Sequence, residues 1–148
     1  MQPKSVLLTL MLSCILFAGC SFGEYESKKM ETISGLKADQ EGQYYMYVFF
    51  DFPHDEVPPP PDKRGVVDDK LERQYEVYEN MMRLDPLLKV HQFGVKSADR
   101  VPEQVDFLNI KEFPTFVIFD DKGVVFLSTD MSETEKFLET LPDIELKN

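Results

Sequence analysis

The hydrophobic and polar positions of this chain change repeatedly between the spacing of strands and the spacing of helices. Two runs, 44–50 and 115–119, are apolar at almost every position, which is the pattern of strands buried on both faces. A short polar turn ending in Gly123 separates the second run from a third, 124–128. This spacing predicts an antiparallel hairpin. The segment 87–95 is more polar and predicts a strand at a sheet edge.

Apolar residues that recur every three or four positions predict four helices. The predicted helices are a short one from Lys28 to Ala38, a long one from Asp68 that ends before Pro86, a short one over 99–109, and a last one that starts with a capping box of Ser132 and Glu135 and is stopped by Pro142.

The order of these elements predicts the fold class. Strands joined through a helix pair in parallel by a right-handed crossover, and the final hairpin adds an antiparallel edge. We therefore predict an α/β domain with one four-stranded mixed sheet, helices on both faces, and the runs 44–50 and 115–119 at its centre.

The N-terminus predicts an export signal. Lys4 precedes an apolar run from Val6 to Phe17, which is shorter than the about 20 residues that a membrane-spanning helix needs. A short positive start followed by such a run and by small residues is typical of a signal peptide, here 1–19.

The residues Leu16-Phe17-Ala18-Gly19-Cys20 resemble the lipobox of bacterial lipoproteins. The resemblance implies that Cys20 is acylated and becomes the N-terminus of a protein anchored by lipid to the extracytoplasmic face of the cell membrane. It also implies that residues 20–27 are the lipidated cysteine and a polar tether, with the domain at 28–148. Two alternatives stay open: Cys14 as the lipid site, although Leu12-Ser13 suits cleavage less well, and a signal peptide without acylation.

Charge and cysteine content limit the function. The net charge of −11 and the pI near 4.6 argue against partners such as nucleic acid or an anionic lipid surface. A basic partner is compatible with this charge, and so is an acidic surface that only keeps the protein soluble. Both cysteines lie within the first 20 residues. The remaining chain therefore has no disulfide, thiolate nucleophile or cysteine-bound metal.

The element order and the segment 108–119, LNIKEFPTFVIF, resemble a thioredoxin-like domain over about residues 28–141. In that family a proline equivalent to Pro114 is cis and faces a Cys-x-x-Cys pair. Here the corresponding loop reads Pro53-His54-Asp55-Glu56-Val57-Pro58, so Asp55 and Pro58 stand at the two cysteine positions. Dithiol exchange needs two thiols, and we expect no redox activity.

The resemblance further implies that Phe113, the residue before the cis-proline, offers its backbone to an extended peptide. We therefore expect a non-catalytic binding or adaptor module without a cofactor, whose partner is an extended peptide or an envelope protein. The expected groove is apolar, with an acidic rim of Asp51, Asp55 and Glu56. Its residues are Phe52, Pro53, His54, Asp55, Phe113, Pro114 and Thr115. Alternatively, Phe52 and Phe113 belong to the core and Pro58–Pro61 is a stiff connection.

Two other functions follow from polar residues. The acidic and histidine positions of the 51–56 loop are an alternative site for copper-type metal handling, although the loop lacks the thiolate or thioether ligands that copper prefers. A carboxylate-based enzyme is disfavoured because no hydrolase or phosphate-binding motif is present. The acidic residues at 68–69 and 133–135 fall at predicted helix starts, where they complement the helix dipole.

Overall fold

The computed structural model describes residues 22–52, 64–81, 83 and 89–144. The elements in these ranges are α1 (22–34), β1 (Tyr45–Phe50), α2 (Asp69–Met81), β2 (Gln92–Ser97), α3 (Pro102–Phe107), β3 (Thr115–Phe119), β4 (Val124–Ser128) and α4 (Met131–Glu139). None of the helices in these ranges combines the length and the hydropathy that crossing a membrane requires.

The chain divides into two compact units, Met1–Gly35 and Leu36–Asn148. Helix α1 belongs to the first unit, and all the other elements belong to the second. The unit that contains the sheet therefore begins at Leu36. Residues 22–27, predicted as part of a polar tether, are helical.

The four strands form one mixed sheet in the order β2-β1-β3-β4. Strand β1 pairs in parallel with β2 and antiparallel with β3, and β3 pairs antiparallel with β4. The predicted α/β class with one four-stranded mixed sheet is confirmed, as are the hairpin and the central position of the two most apolar strands. Nearly every side chain of β1 and β3 is buried on both faces of the sheet, which explains their continuous hydrophobicity.

One face of the sheet packs against α2 and α4. The core there consists mainly of β1 and β3 side chains together with Tyr75 and Met81 of α2 and Leu138 of α4. The strand residues of this core are Met46, Val48, Phe50, Phe116 and Ile118. Neighbouring residues of β1 and β3 that point to the other face are buried as well, including Phe49 and Val117.

Strand β2 lies at an edge, as predicted, but it runs from Gln92 to Ser97 instead of 87–95. Its central Gly94 is in register with Tyr47, and a Cβ at position 94 would lie 3.0 Å from Cδ1 of that ring. The Gln92 amide donates a hydrogen bond of 3.0 Å to the Tyr47 hydroxyl. The ring therefore occupies the space above Gly94, and a glycine that weakens the strand pattern in the sequence serves tertiary packing.

The N-cap of α4 lies two residues before Ser132, the N-cap of the predicted capping box with Glu135. The observed N-cap is Asp130, whose Oδ1 accepts the Glu133 N–H at 3.0 Å. The Glu133 carboxylate in turn accepts a hydrogen bond of 2.7 Å from the Ser128 hydroxyl at the end of β4. This bond joins the helix start to the end of β4 five residues earlier, so the cap belongs to a local network of Ser128, Asp130 and Glu133.

Asp120 stabilises the turn between β3 and β4. Its Oδ1 accepts the backbone N–H groups of Lys122 and Gly123, each at 2.8 Å. These hydrogen bonds, that of Gly123 first, hold the pKa of the Asp120 carboxyl below its ordinary value.

We expect Asp120→Ala to lower the free energy of unfolding by about 1 kcal/mol, because two turn amides lose their acceptor. Asp120→Asn is the matched control, since it keeps an acceptor oxygen and removes the charge. A carboxyl group whose pKa is lower in the folded state stabilises the fold at pH values above its unfolded-state pKa. This stabilisation is lost as the pH falls below about 4. Urea titrations should therefore show a smaller difference in the free energy of unfolding between wild type and Asp120→Asn at pH 3 than at pH 7. An equal difference at the two pH values would contradict this role.

Candidate binding site

A pocket of about 760 Å³ lies at the carboxyl end of β1. Three parts of the domain form it: the residue that follows β1, the start of α2, and the loop before β3. Its lining residues are Asp51, Asp68, Lys70, Leu71, Arg73, Gln74, Lys111, Glu112 and Phe113. The crevice outside the carboxyl ends of strands is where open α/β sheets commonly bind ligands.

Hydrogen bonds fix the wall of the pocket that β1 and α2 share. Gln74 is only 5% exposed, and its Oε1 accepts the backbone N–H of Asp51 at 2.7 Å. At the start of the helix, Asp68 Oδ1 accepts the Leu71 N–H at 2.9 Å, which satisfies an amide that the helix leaves unpaired. The β1 end and the second turn of α2 are therefore held together by a buried polar contact.

The opposite wall is the loop around Pro114. The peptide bond between Phe113 and Pro114 is cis, in agreement with the resemblance to thioredoxin-like domains. Pro114 and Thr115 are buried, and the Thr115 hydroxyl donates to the Glu112 carbonyl at 2.5 Å. Phe113 is half-buried, and its backbone N–H and C=O make no hydrogen bond with any residue in the described ranges. An extended peptide can pair with such free groups.

Charges of both signs surround the pocket. The basic side chains are Lys70, Arg73 and Lys111, and the carboxylates are Asp51, Asp68 and Glu112. None of the three cations forms an ion pair with a residue of the described ranges. The described part of the pocket therefore carries charges of both signs, whereas the sequence predicted an apolar groove with an acidic rim.

The predicted site residues separate into three groups. Phe113 lines the pocket, while Pro114 and Thr115 support it from below the surface. Phe52 is only 6% exposed and stacks on Phe50 at a centroid distance of 4.6 Å, so its side chain belongs to the core, as the alternative interpretation held. The remaining predicted groove residues, Pro53, His54 and Asp55, lie outside the described residues, as do Glu56, Pro58–Pro61 and the predicted lipidation residue Cys20.

Sequence reasoning missed the basic residues of the pocket. Lys111 precedes the predicted binding residue Phe113 by two positions, and this proximity was a usable signal. Lys70 and Arg73 are three positions apart at the start of α2, so they share one side of the helix. Their side faces the pocket only because of the way α2 packs on the sheet.

A metal site finds no support in the described ranges. No group of three or more histidine, cysteine, aspartate or glutamate side chains there is arranged to hold an ion. The described histidine, His91, accepts the Tyr44 N–H on its Nδ1 at 3.3 Å. That nitrogen is therefore engaged in a backbone contact next to β1.

Comparisons with known proteins identify no family. No protein-family model and no curated protein matches this chain. Among solved structures, the thioredoxin Mala s 13 of Malassezia sympodialis is 16% identical, with a TM-score of 0.45, and the match covers 68% of this chain and 76% of that one. A designed protein is 19% identical, with a TM-score of 0.46, over 78% of this chain and 90% of that chain. The fold is defined by the strand order of the sheet and by the loop at Pro114, and it does not depend on either match.

Proposed function

We propose that this chain is a lipid-anchored protein of the extracytoplasmic face of a bacterial cell membrane, and that its domain is a binding or adaptor module without redox activity. The ligand is an extended peptide segment of an envelope protein. The observation that carries this proposal is the pocket of about 760 Å³ beside the free backbone of Phe113, in a domain with no cysteine.

The absence of thiols separates this domain from disulfide exchange. Residues 21–148 contain no cysteine, whereas exchange needs one thiolate to attack and a second thiol to resolve the mixed disulfide. A peptide does not need either group in order to bind, because its backbone can pair with Phe113 as an added strand would. A module that binds without reacting is therefore the simplest use of this pocket.

The chemistry of the pocket lining also supports binding. Its described residues include no serine, threonine, cysteine or histidine, so this part of the site offers no common pair of nucleophile and base. It offers instead cations and carboxylates without internal ion partners, together with the side chains of Leu71 and Phe113. Such a surface suits a peptide that carries both charged and apolar side chains.

The membrane location rests on the segment that ends in Cys20. One acyl chain holds a protein to a bilayer reversibly, whereas two or more make a stable anchor. A module held in this way meets its partners at the membrane surface, where weak peptide binding is strengthened by a high effective concentration.

Photo-crosslinking in intact cells tests the binding role. A photoreactive amino acid at Lys111 should form crosslinks to a defined set of envelope proteins, and the same group at the exposed Lys136 of α4 is the matched control. Adding Phe113→Asp should reduce the crosslinks from position 111 roughly tenfold, because a buried aromatic contact is lost and a charge is placed where the peptide pairs.

Equal melting temperatures of the two variants would show that folding is unchanged. The same partner proteins at positions 111 and 136, or crosslinks that Phe113→Asp leaves unaltered, would refute this pocket as the binding site.

A further inference from the structure

Helix α1 carries two large apolar side chains that are open to solvent. Phe22 is 69% exposed and Met30 is 66% exposed. These values are higher than those of the exposed strand residues, which lie between 39% and 46%. Large apolar side chains that are exposed together on one side of an element mark a contact surface, whereas scattered single ones are common.

The two side chains lie on the same side of the helix. Positions 22 and 30 are eight residues apart, which corresponds to about 80° around a helix of 3.6 residues per turn. Glu24 and Glu31 point to the other side. Around the helix Glu26 lies between the two apolar residues and Lys29 lies about 20° beyond Phe22, and their opposite charges offset each other at a spacing of three. The helix therefore has one side with Phe22 and Met30 and no net charge, and an opposite side with Glu24, Lys28 and Glu31.

The start of α1 lies next to the proposed lipid anchor. Phe22 follows Cys20 by two residues, a distance of at most about 7 Å even in a fully extended chain. Acyl chains on Cys20 would hold Phe22 at the level of the lipid headgroups. An amphipathic helix in that position buries its apolar side in the boundary between headgroups and acyl chains.

We propose that α1 lies along the bilayer surface, with Phe22 and Met30 inserted into the interface and Glu24 and Glu31 in water. This inference rests on the proposed lipidation of Cys20. The lipid is zwitterionic rather than anionic at the contact, because a chain of net charge −11 is repelled by an anionic surface. A helix of this length runs for about 20 Å along the membrane. The contact with the bilayer therefore extends beyond the lipidated residue.

The chain has no tryptophan, so a single introduced tryptophan reports its own surroundings. Four variants suffice: Phe22→Trp and Met30→Trp on the apolar side, with Glu24→Trp and Glu31→Trp as matched controls on the opposite side. Each full-length chain is expressed in a bacterial host that acylates lipoproteins. The product is purified from the membrane fraction, and mass spectrometry measures whether it is acylated. It is then reconstituted in phosphatidylcholine vesicles with or without bromine on the acyl chains.

We expect brominated lipid to quench the emission of Phe22→Trp and Met30→Trp, with a blue shift in both kinds of vesicle. The Glu24→Trp and Glu31→Trp controls should show neither effect. An acylated protein in which the four variants behave alike would overturn the surface helix and leave the anchor standing. A blue shift without quenching that disappears on dilution would show that a second copy covers the apolar side, and this would also overturn the inference. An unacylated, soluble product would overturn both the anchor and the surface helix.

Discussion

Replacing Phe50 with alanine should lower the free energy of unfolding by about 3–5 kcal/mol, the range for removing a buried aromatic ring. Phe50 is fully buried at the end of β1. Its ring stacks on Phe52 at 4.6 Å and meets the edge of Tyr78 at 5.8 Å. It therefore joins β1 to α2 and to Phe52, and the cavity left by alanine would lie beside both partners.

Urea denaturation at pH 7 measures this effect, and two variants serve as controls. Phe50→Leu keeps most of the volume and should cost less than Phe50→Ala. Val124→Ala, at an exposed position of β4, should change the free energy by no more than about 0.5 kcal/mol. A loss of less than about 1 kcal/mol in Phe50→Ala would mean that Phe50 is not part of a tightly packed core.

Replacing Arg64 with alanine should lower the free energy of unfolding by about 2 kcal/mol, because a charge-assisted contact and a cation–π contact are lost together. The Arg64 side chain is only 7% exposed; it pairs with Glu72 at 3.6 Å and, more closely, with Glu79. Its guanidinium lies 4.7 Å from the centre of the Tyr75 ring. Glu72, Tyr75 and Glu79 belong to one side of α2, so Arg64 attaches the segment that precedes α2 to that helix.

A double-mutant cycle separates the ionic part from the packing. We expect Arg64→Ala and Glu79→Gln to be non-additive by at least about 0.5 kcal/mol. Arg64→Lys keeps the charge but loses the planar group that stacks on Tyr75 and reaches two carboxylates, so it should fall between wild type and alanine. Strict additivity of Arg64→Ala and Glu79→Gln would show that the two side chains act independently.

Much of the fold could be predicted from hydrophobic pattern. The runs that became β1 and β3 are apolar on both faces, and only a strand at the centre of a sheet needs that pattern. The Phe113-Pro114-Thr115 step predicted the loop that forms one wall of the pocket. In both cases the information is local, because each residue's environment follows from its own segment.

Elements that depend on distant partners were predicted less well. The bounds of β2 follow from its pairing with β1, from Tyr45–Gln92 to Phe50–Ser97. Phe52 lies two residues after the end of β1 and was expected in the groove, yet its ring packs against Tyr75 and Tyr78 of α2. The sequence contains these residues, but their partners are known only once the chain is folded.

The sequence by itself determined the α/β class, the order of the elements, the two central strands and the absence of thiols after Cys20, because these depend on residue type and local spacing. Only the tertiary structure decided which side chains share the pocket. It brought Lys70 and Arg73 of α2 beside Lys111 and turned Phe52 away from the site. The physical reason is that a hydrophobic pattern sets which side of an element is buried, whereas the packing of helices on the sheet sets which polar side chains then meet.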